Sequence, residues 1–236
     1  MNTEITKQEP KSVILDEAMG GTWGSGGTST EDMLIPRVLL MQAMSQIVSN
    51  GKAAPGDVID SVDMQPLAKP GTAVEIIPIM TFLEWRVSKF IDGQWQFEKK
   101  VPWNQTNATW QYESIIDGIQ TKNEKAINVF CLLPNKLDEL PFLISFKSSS
   151  YQAGKKLSTH FQISSMKGKP PASVTFALTS VKQQKDKYSF FAFDVSKKRD
   201  TTKEELAIAY RWWKTLSATK VKVDEAEAVS EEAVPF

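Results

Sequence analysis

Residues 72–101, TAVEIIPIMTFLEWRVSKFIDGQWQFEKKV, decide how this chain is built. A β-branched and aromatic run leads up to Asp92-Gly93 and a second run leaves it, the pattern of two strands joined by a two-residue turn. Asp-Gly suits such a turn because both central residues must take positive φ. Counting outward pairs Ile91 with Gln94, Phe90 with Trp95, Ser88 with Phe97 and Arg86 with Lys99. Phe90, Trp95, Phe97, Arg86 and Lys99 then share one face of the hairpin. Leu83, Trp85, Val87 and Ile91 occupy the other, which is the expected core side. Arg86 directly opposite Lys99 is destabilising unless something anionic lies over the pair. A phosphate backbone meets that need.

The segments around this hairpin extend the same architecture. Upstream, IPRVLLMQAMSQIV (35–48) reads as a strand or short helix, followed by a turn-rich connection with Asn50-Gly51 and Pro55-Gly56. Downstream, a polar excursion containing Trp103, Trp110 and Tyr112 precedes two apolar runs of strand length, INVFCLLP and PFLISFK. The period then becomes helical: Tyr151, Leu157, Phe161 and Ser164 recur at helix spacing, with serines available as caps. ASVTFALTSV and YSFFAFDVS are strands again, joined through the basic stretch KQQKDK. A terminal helix opens with a capping box, Thr202 to Glu205, and puts Leu206, Tyr210, Trp213 and Leu216 on one face. Strands, one helix, two more strands and a final helix predict an α+β, mainly β fold. The expected form is an OB-fold-like antiparallel barrel with an inserted helix and a C-terminal helix.

Composition sets the boundaries of that domain. Residues 1–33 are polar and include GGTWGSGGTST, a flexible Gly/Ser/Thr segment that lacks the lysine of a phosphate-binding P-loop. Residues 34–218 form the folded domain, and residues 219–236 form an acidic, disordered tail. Formal net charge is zero, but its distribution is uneven. Residues 1–35 hold six acids against two lysines, residues 224–236 hold five acids and no base, and residues 36–223 are therefore left with +9. A basic body tethered to acidic ends suits a nucleic-acid-binding protein. No apolar run is long enough to span a membrane and no signal peptide is evident, so a cytoplasmic location is expected.

Catalytic chemistry finds little support. One histidine, His160, and one cysteine, Cys131, cannot build a zinc site of Cys/His pairs. Cys131 sits inside an apolar run, and Glu75, Glu84, Asp186 and Asp194 are scattered without a paired motif. The reading is therefore a binding protein, not an enzyme, with no metal and no cofactor. Aromatic rings beside cations suit a single strand, because each base offers a face to stack on and each linkage a charge to neutralise. Arg86, Phe90, Trp95, Phe97, Lys99, Trp103, Trp110 and Tyr112 are the candidates, with Lys182, Lys185 and Lys187 on the last hairpin. Lys155, Lys156, Lys167 and Lys169 either extend this track or form a solvated face. The competing reading makes the hairpin aromatics part of the core.

The chain ends in EEAVPF, which resembles the acidic tip of bacterial and phage single-stranded DNA-binding proteins; IPRVLLMQAMSQIV with GKAAPGDVIDS resembles phage-encoded members. This resemblance implies a protein that coats single-stranded DNA without base preference during phage replication or recombination, in the host cytoplasm. It also implies that Pro235 and Phe236 dock replication or recombination partners, with Asp224, Glu225, Glu227, Glu231 and Glu232 as steering charges. The tip is more dilute in charge than its bacterial counterparts, and the zinc site of some phage relatives is absent. The alternative is a structural or assembly protein of a virus particle with a solubilising tail, and a third reading is a β-barrel that binds a small molecule or protein. Homo-oligomerisation is compatible with each.

Overall fold

The run that ends at Asp92-Gly93 becomes the longest strand of a mainly antiparallel β structure. The computed structural model describes residues 35–102, 113–116 and 118–218. Its elements are β1 (Val38–Leu40), α1 (Gln46–Ser49), β2 (Val58–Asp60), β3 (Pro66–Ala68), β4 (Ala73–Ile91), β5 (Gln94–Pro102), β6 (Glu113–Ile116), β7 (Ile119–Leu132), β8 (Phe142–Phe146), α2 (Tyr151–Met166), β9 (Val174–Lys185), β10 (Tyr188–Asp200) and α3 (Lys203–Ala218). Trp103, Trp110, Tyr112, the segment 1–33 and the tail 219–236 lie outside the described residues.

β4 is shared by two parts of one sheet. Its first residues pair with β9, from Ala73 opposite Thr179 to Ile76 opposite Phe176. Its last residues pair with β5, and β7 lies along its other edge from Ile77 to Lys89. β7 in turn holds β8 against its second half and β6 against its first. The body thus runs β10-β9-β4-β7-β8, and an arm of β5-β4-β7-β6 extends from it. A separate small sheet, β1-β2-β3, packs Val38, Val58 and Ala68 into the body's larger core and bridges to it in parallel from Arg37 to Leu143. Gln42 makes a second link, its side-chain amide donating to the Phe191 carbonyl and accepting from the Phe191 N–H.

A bulge makes β4 serve two cores. Pro78 pairs with Cys131 and Met80 with Phe130, which leaves Ile79 as the extra residue. Proline has no N–H for a ladder, so a bulge is where an interior strand tolerates it. Before the bulge Val74 and Ile76 enter the larger core, with Val129, Cys131, Phe142, Phe146, Leu178 and Phe193. Beyond it the phase reverses: Met80 and Phe82 join Phe130 in a second core on the opposite face. There Leu83 opposite Ile127, Trp85 opposite Lys125 and Val87 opposite Asn123 take the larger core's side.

The helices cover one core each. α2 buries Ala153 and Leu157, with Tyr151 and Phe161 packed at the margin. At Gly154 a Cβ would lie 2.7 Å from Phe146 Cβ and 3.0 Å from Ile127 Cβ, so only glycine allows this approach. Ser150 precedes the helix but does not cap it; its hydroxyl accepts from the Phe193 N–H at 2.9 Å and ties the helix start to β10. α3 opens with the expected box: Thr202 N–H donates to Glu205, and the Glu205 N–H to Thr202 Oγ1. Arg199 adds two bonds to the Glu205 carboxylate, at 2.7 and 2.8 Å, and one to Glu75 at 3.0 Å. These bonds hold the Glu205 carboxyl down at about 2. Only part of the apolar face read from the sequence meets a core. Leu206, Ala209, Trp212 and Leu216 meet the second core, whereas Tyr210 and Trp213 are exposed and stack on each other at 5.8 Å. Each residue turns the helix by about 100°, so Tyr210 and Trp213 fall beside the stripe in which Ala209 is 1% exposed.

Candidate nucleic-acid interface

The β4–β5 hairpin forms where the sequence places it, with Asp92 and Gly93 at φ 53° and 80°. Ile91 opposes Gln94, Phe90 opposes Trp95 and Ser88 opposes Phe97. The fourth expected pair is corrected. A bulge at Glu98 sets Val87 opposite Lys99 and Arg86 opposite Lys100. Counting from the turn assumed an unbroken ladder; one extra residue moves Lys99 to the opposite face and brings Lys100 in its place. The Glu98 carboxylate meets Lys89 at 2.8 Å. Trp85 and Val87 are buried as expected of a core side, but Leu83 and Ile91 are exposed.

Three successive rows now cross the outer face of the arm. Phe90 and Trp95 form one, with ring centroids 5.4 Å apart at 60°. Phe97, Ser88 and Lys122 form the next. Lys100, Arg86 and Glu124 form the third. Phe90 is 40% exposed and Trp95 and Phe97 are half-buried. Arg86 is 6% exposed, with the Phe97 ring 4.9 Å from its guanidinium carbon. Burial pushes the Arg86 guanidinium down, while Glu84 and Glu124 support its charge.

Lys147, which the sequence reading missed, belongs to this face. It follows β8, where Leu143 opposes Phe130 and Ser145 opposes Asn128 on the outer side. Alternation continues that side to residue 147. Ser148 Oγ donates to the Glu124 carboxylate. The Lys147 residue is half-buried, but its ammonium end is pushed down to about 7, first by burial and then by Arg86, with Lys100 and Arg37 adding to the effect against Glu124. The signal was present in PFLISFK: alternation of Phe142, Ile144 and Phe146 inward points Lys147 outward.

The other candidates fall elsewhere. Lys182, Lys185 and Lys187 are exposed on the β9–β10 hairpin, which extends past the start of β4, whereas the Asp92-Gly93 turn lies at its far end. Lys187 lies over the Tyr188 ring at 5.4 Å. Lys156 pairs with Asp194, Lys155 lies over Tyr151, and Lys167 and Lys169 are exposed beyond α2. Trp103, Trp110, Tyr112 and the tail residues Asp224, Glu225, Glu227, Glu231, Glu232, Pro235 and Phe236 lie outside the described residues.

Cys131 is fully buried and its thiol is pushed well up by that burial. His160 Nε2 lies 2.9 Å from the Pro171 carbonyl, with the ring edge-on to Phe176. Among the described residues no group of His, Cys, Asp or Glu is placed to hold a metal ion, and no helix is long and apolar enough to cross a membrane.

Comparison with known proteins places the chain in a phage family. The model of the Pam3 phage gp34-like protein family matches residues 5–222, and the chain belongs to that family. No curated protein and no solved structure matches it.

Proposed function

We propose that this member of a phage family binds single-stranded DNA without sequence preference, coating strands exposed in replication or recombination. The observation that carries the reading is the outer face of the β4–β5 hairpin, where Phe90, Trp95 and Phe97 adjoin Arg86, Lys100 and Lys122. Rings that retain exposure can stack on bases, and stacking is worth about 1–3 kcal/mol per base whatever the sequence. Neighbouring cations neutralise the linkages between those bases.

The strand order supports an OB-fold-like barrel as the carrier. Taking β4, β7, β8, β9 and β10 as its five strands, the order β10-β9-β4-β7-β8 with α2 between β8 and β9 matches that Greek key. The Gln42 side chain, from the segment after β1, bonds to the Phe191 backbone of β10. In such a fold the second and third strands and two loops contact nucleic acid. Here those loops are the β5–β6 arm and the β9–β10 turn with Lys182, Lys185 and Lys187. The tail carries partner docking, through Pro235 and Phe236.

The test is a titration of labelled single- and double-stranded oligonucleotides across a range of salt. Preference for the single strand is expected, with a log–log salt slope near −3 to −4 if about 4–6 phosphates are neutralised. Equal affinity for duplex, or none for either, refutes the reading; the latter is the outcome expected of a structural or assembly protein of the particle.

A further inference from the structure

α3 carries more aromatic surface than its core contact uses. Leu206, Ala209, Trp212 and Leu216 meet the second core, while Tyr210 and Trp213 stay 61% and 46% exposed, their rings stacked at 5.8 Å and 27°. Helix formation does not call for them. Tyrosine and tryptophan are weaker helix formers than alanine or lysine, and a ring pair at i,i+3 adds little to a helix. From Leu206 to Ala218 the only charged residues are Arg211 and Lys214, both exposed. The acids Glu204 and Glu205 belong to the first turn, where Glu205 is bound by Arg199. At about 100° per residue the order around the helix is Trp213, Tyr210, Lys214, Arg211. Rings therefore lie on one side of this face and cations on the other.

The sheet connects this helix to the hairpin aromatics. β4 keeps an unbroken register against β7 from Met80 to Lys89, so Met80 and Phe82, on the side that α3 covers, share that side with Glu84, Arg86, Ser88 and Phe90. The row of Ser88 and Phe97 lies about 20 Å along β4 from Phe82. We infer that the Tyr210–Trp213 pair, with Arg211 and Lys214, is a second contact for the same single strand, stacking bases on the rings and seating phosphates on the two cations. The inference rests on the single-strand reading and deepens it, because it extends the path of the strand from the hairpin to α3. The make-up of the face favours a nucleic acid over a protein. Ala207, Thr215 and Ser217 are its other exposed members beyond the first turn, so it offers a partner's core no aliphatic side chain larger than alanine. Planar rings beside cations are what bases and their linkages require.

Two separated contacts make affinity depend on the length of the strand. A strand that reaches only the hairpin gains nothing from α3. One long enough for both tethers its second segment to the first contact and so raises the effective concentration of that segment at α3. Site sizes of about 4–16 nucleotides per barrel bracket the two cases.

The experiment is fluorescence anisotropy of the full chain with labelled oligothymidylates of about 6 and about 16 nucleotides. It compares the wild type with a Tyr210→Ala/Trp213→Ala double variant, in which alanine keeps the helix formed, and with an Arg211→Gln/Lys214→Gln double variant. The aromatic variant should lose about 5- to 150-fold in affinity for the long oligonucleotide and stay within about twofold of wild type on the short one. The charge variant should reduce the salt slope on the long oligonucleotide by about 1.4, the share of two phosphates on a single strand, and leave the short one unchanged. If the aromatic variant fails to fold, the salt slope of the charge variant decides. Unchanged affinity and slope at both lengths overturns the second contact while single-strand binding stands, and leaves the face to a protein partner. Equal losses at both lengths overturns the extended path. If the wild type binds neither oligonucleotide, the single-strand reading falls and the second contact falls with it.

Discussion

Phe90 and Trp95 face each other near the tip of the β4–β5 hairpin, and replacing either by alanine separates a binding role from a packing one. Burying a whole phenylalanine is worth about 1.5–3 kcal/mol, and an aromatic pair adds about 0.5–1.5 kcal/mol. Phe90 is 40% exposed, so roughly half of the burial contribution applies. Phe90→Ala should therefore destabilise the fold by about 1–3 kcal/mol, roughly 2–12 °C in thermal midpoint for a domain of this size. If these rings stack on bases, each variant also weakens single-strand binding by about 1–3 kcal/mol, roughly 5- to 150-fold. A domain more than 99% folded at the assay temperature shows no such loss from destabilisation alone. Fluorescence anisotropy with a labelled oligonucleotide, paired with thermal denaturation of each variant, measures both quantities. The double variant should lose less than the sum of the singles, because contacting rings act together on one base. Affinity within twofold of wild type in both single variants, with lowered midpoints, would refute the stacking role and assign the pair to structure.

Two other outcomes are expected. Deleting residues 224–236 should tighten single-strand binding at low salt, because a tethered acidic segment competes for the basic surface at about millimolar effective concentration. The gain should fade as the Debye length shrinks below about 10 Å. Deleting Phe236 alone should leave DNA affinity intact and abolish partner pull-down; equal effects of the two deletions on DNA binding would disprove separate roles. Glu205→Gln should lower stability at pH 7 by about 2 kcal/mol, a figure reduced from the full shift because Arg199 is a third exposed. The depressed carboxyl stabilises above its ordinary 4.5 and loses that contribution as pH falls toward 2, so the two proteins should converge in acid; urea melts at pH 7 and pH 2 check this.

Much of the body was legible because its signals are local. Asp92-Gly93 dictated a turn, Thr202 and Glu205 a helix start, and the apolar run in PFLISFK a strand. The Arg86–Lys99 pairing failed because a bulge leaves no reliable composition signal: Glu98 looks like any other strand residue until its partner strand is known. The helical period of α3 was readable, but which part of its apolar face meets the sheet was not: Leu206 and Leu216 pack on the second core with Ala209, while Tyr210 and Trp213 stay exposed. Lys147 was missed although its phase was readable, because its neighbours Arg86, Lys100 and Glu124 are 23 to 61 positions away in sequence and converge only through three strand pairings.

The bulge at Ile79 has a bearing on how this chain can change over time. A substitution there alters one side chain, but loss of one residue between Pro78 and Met80 would put the strand out of step with itself. Because strand side chains alternate with period two, every position from Met80 to Ile91 would then exchange inside for outside. Glu84, Arg86 and Phe90 would be turned toward oil, and Trp85 and Val87 toward water. Mutational drift in length, harmless in a surface loop, is therefore closed to this stretch. A compensating insertion before Glu84 would restore the distal phase, so any relative that lacks the extra residue at Ile79 should carry one elsewhere in the same strand.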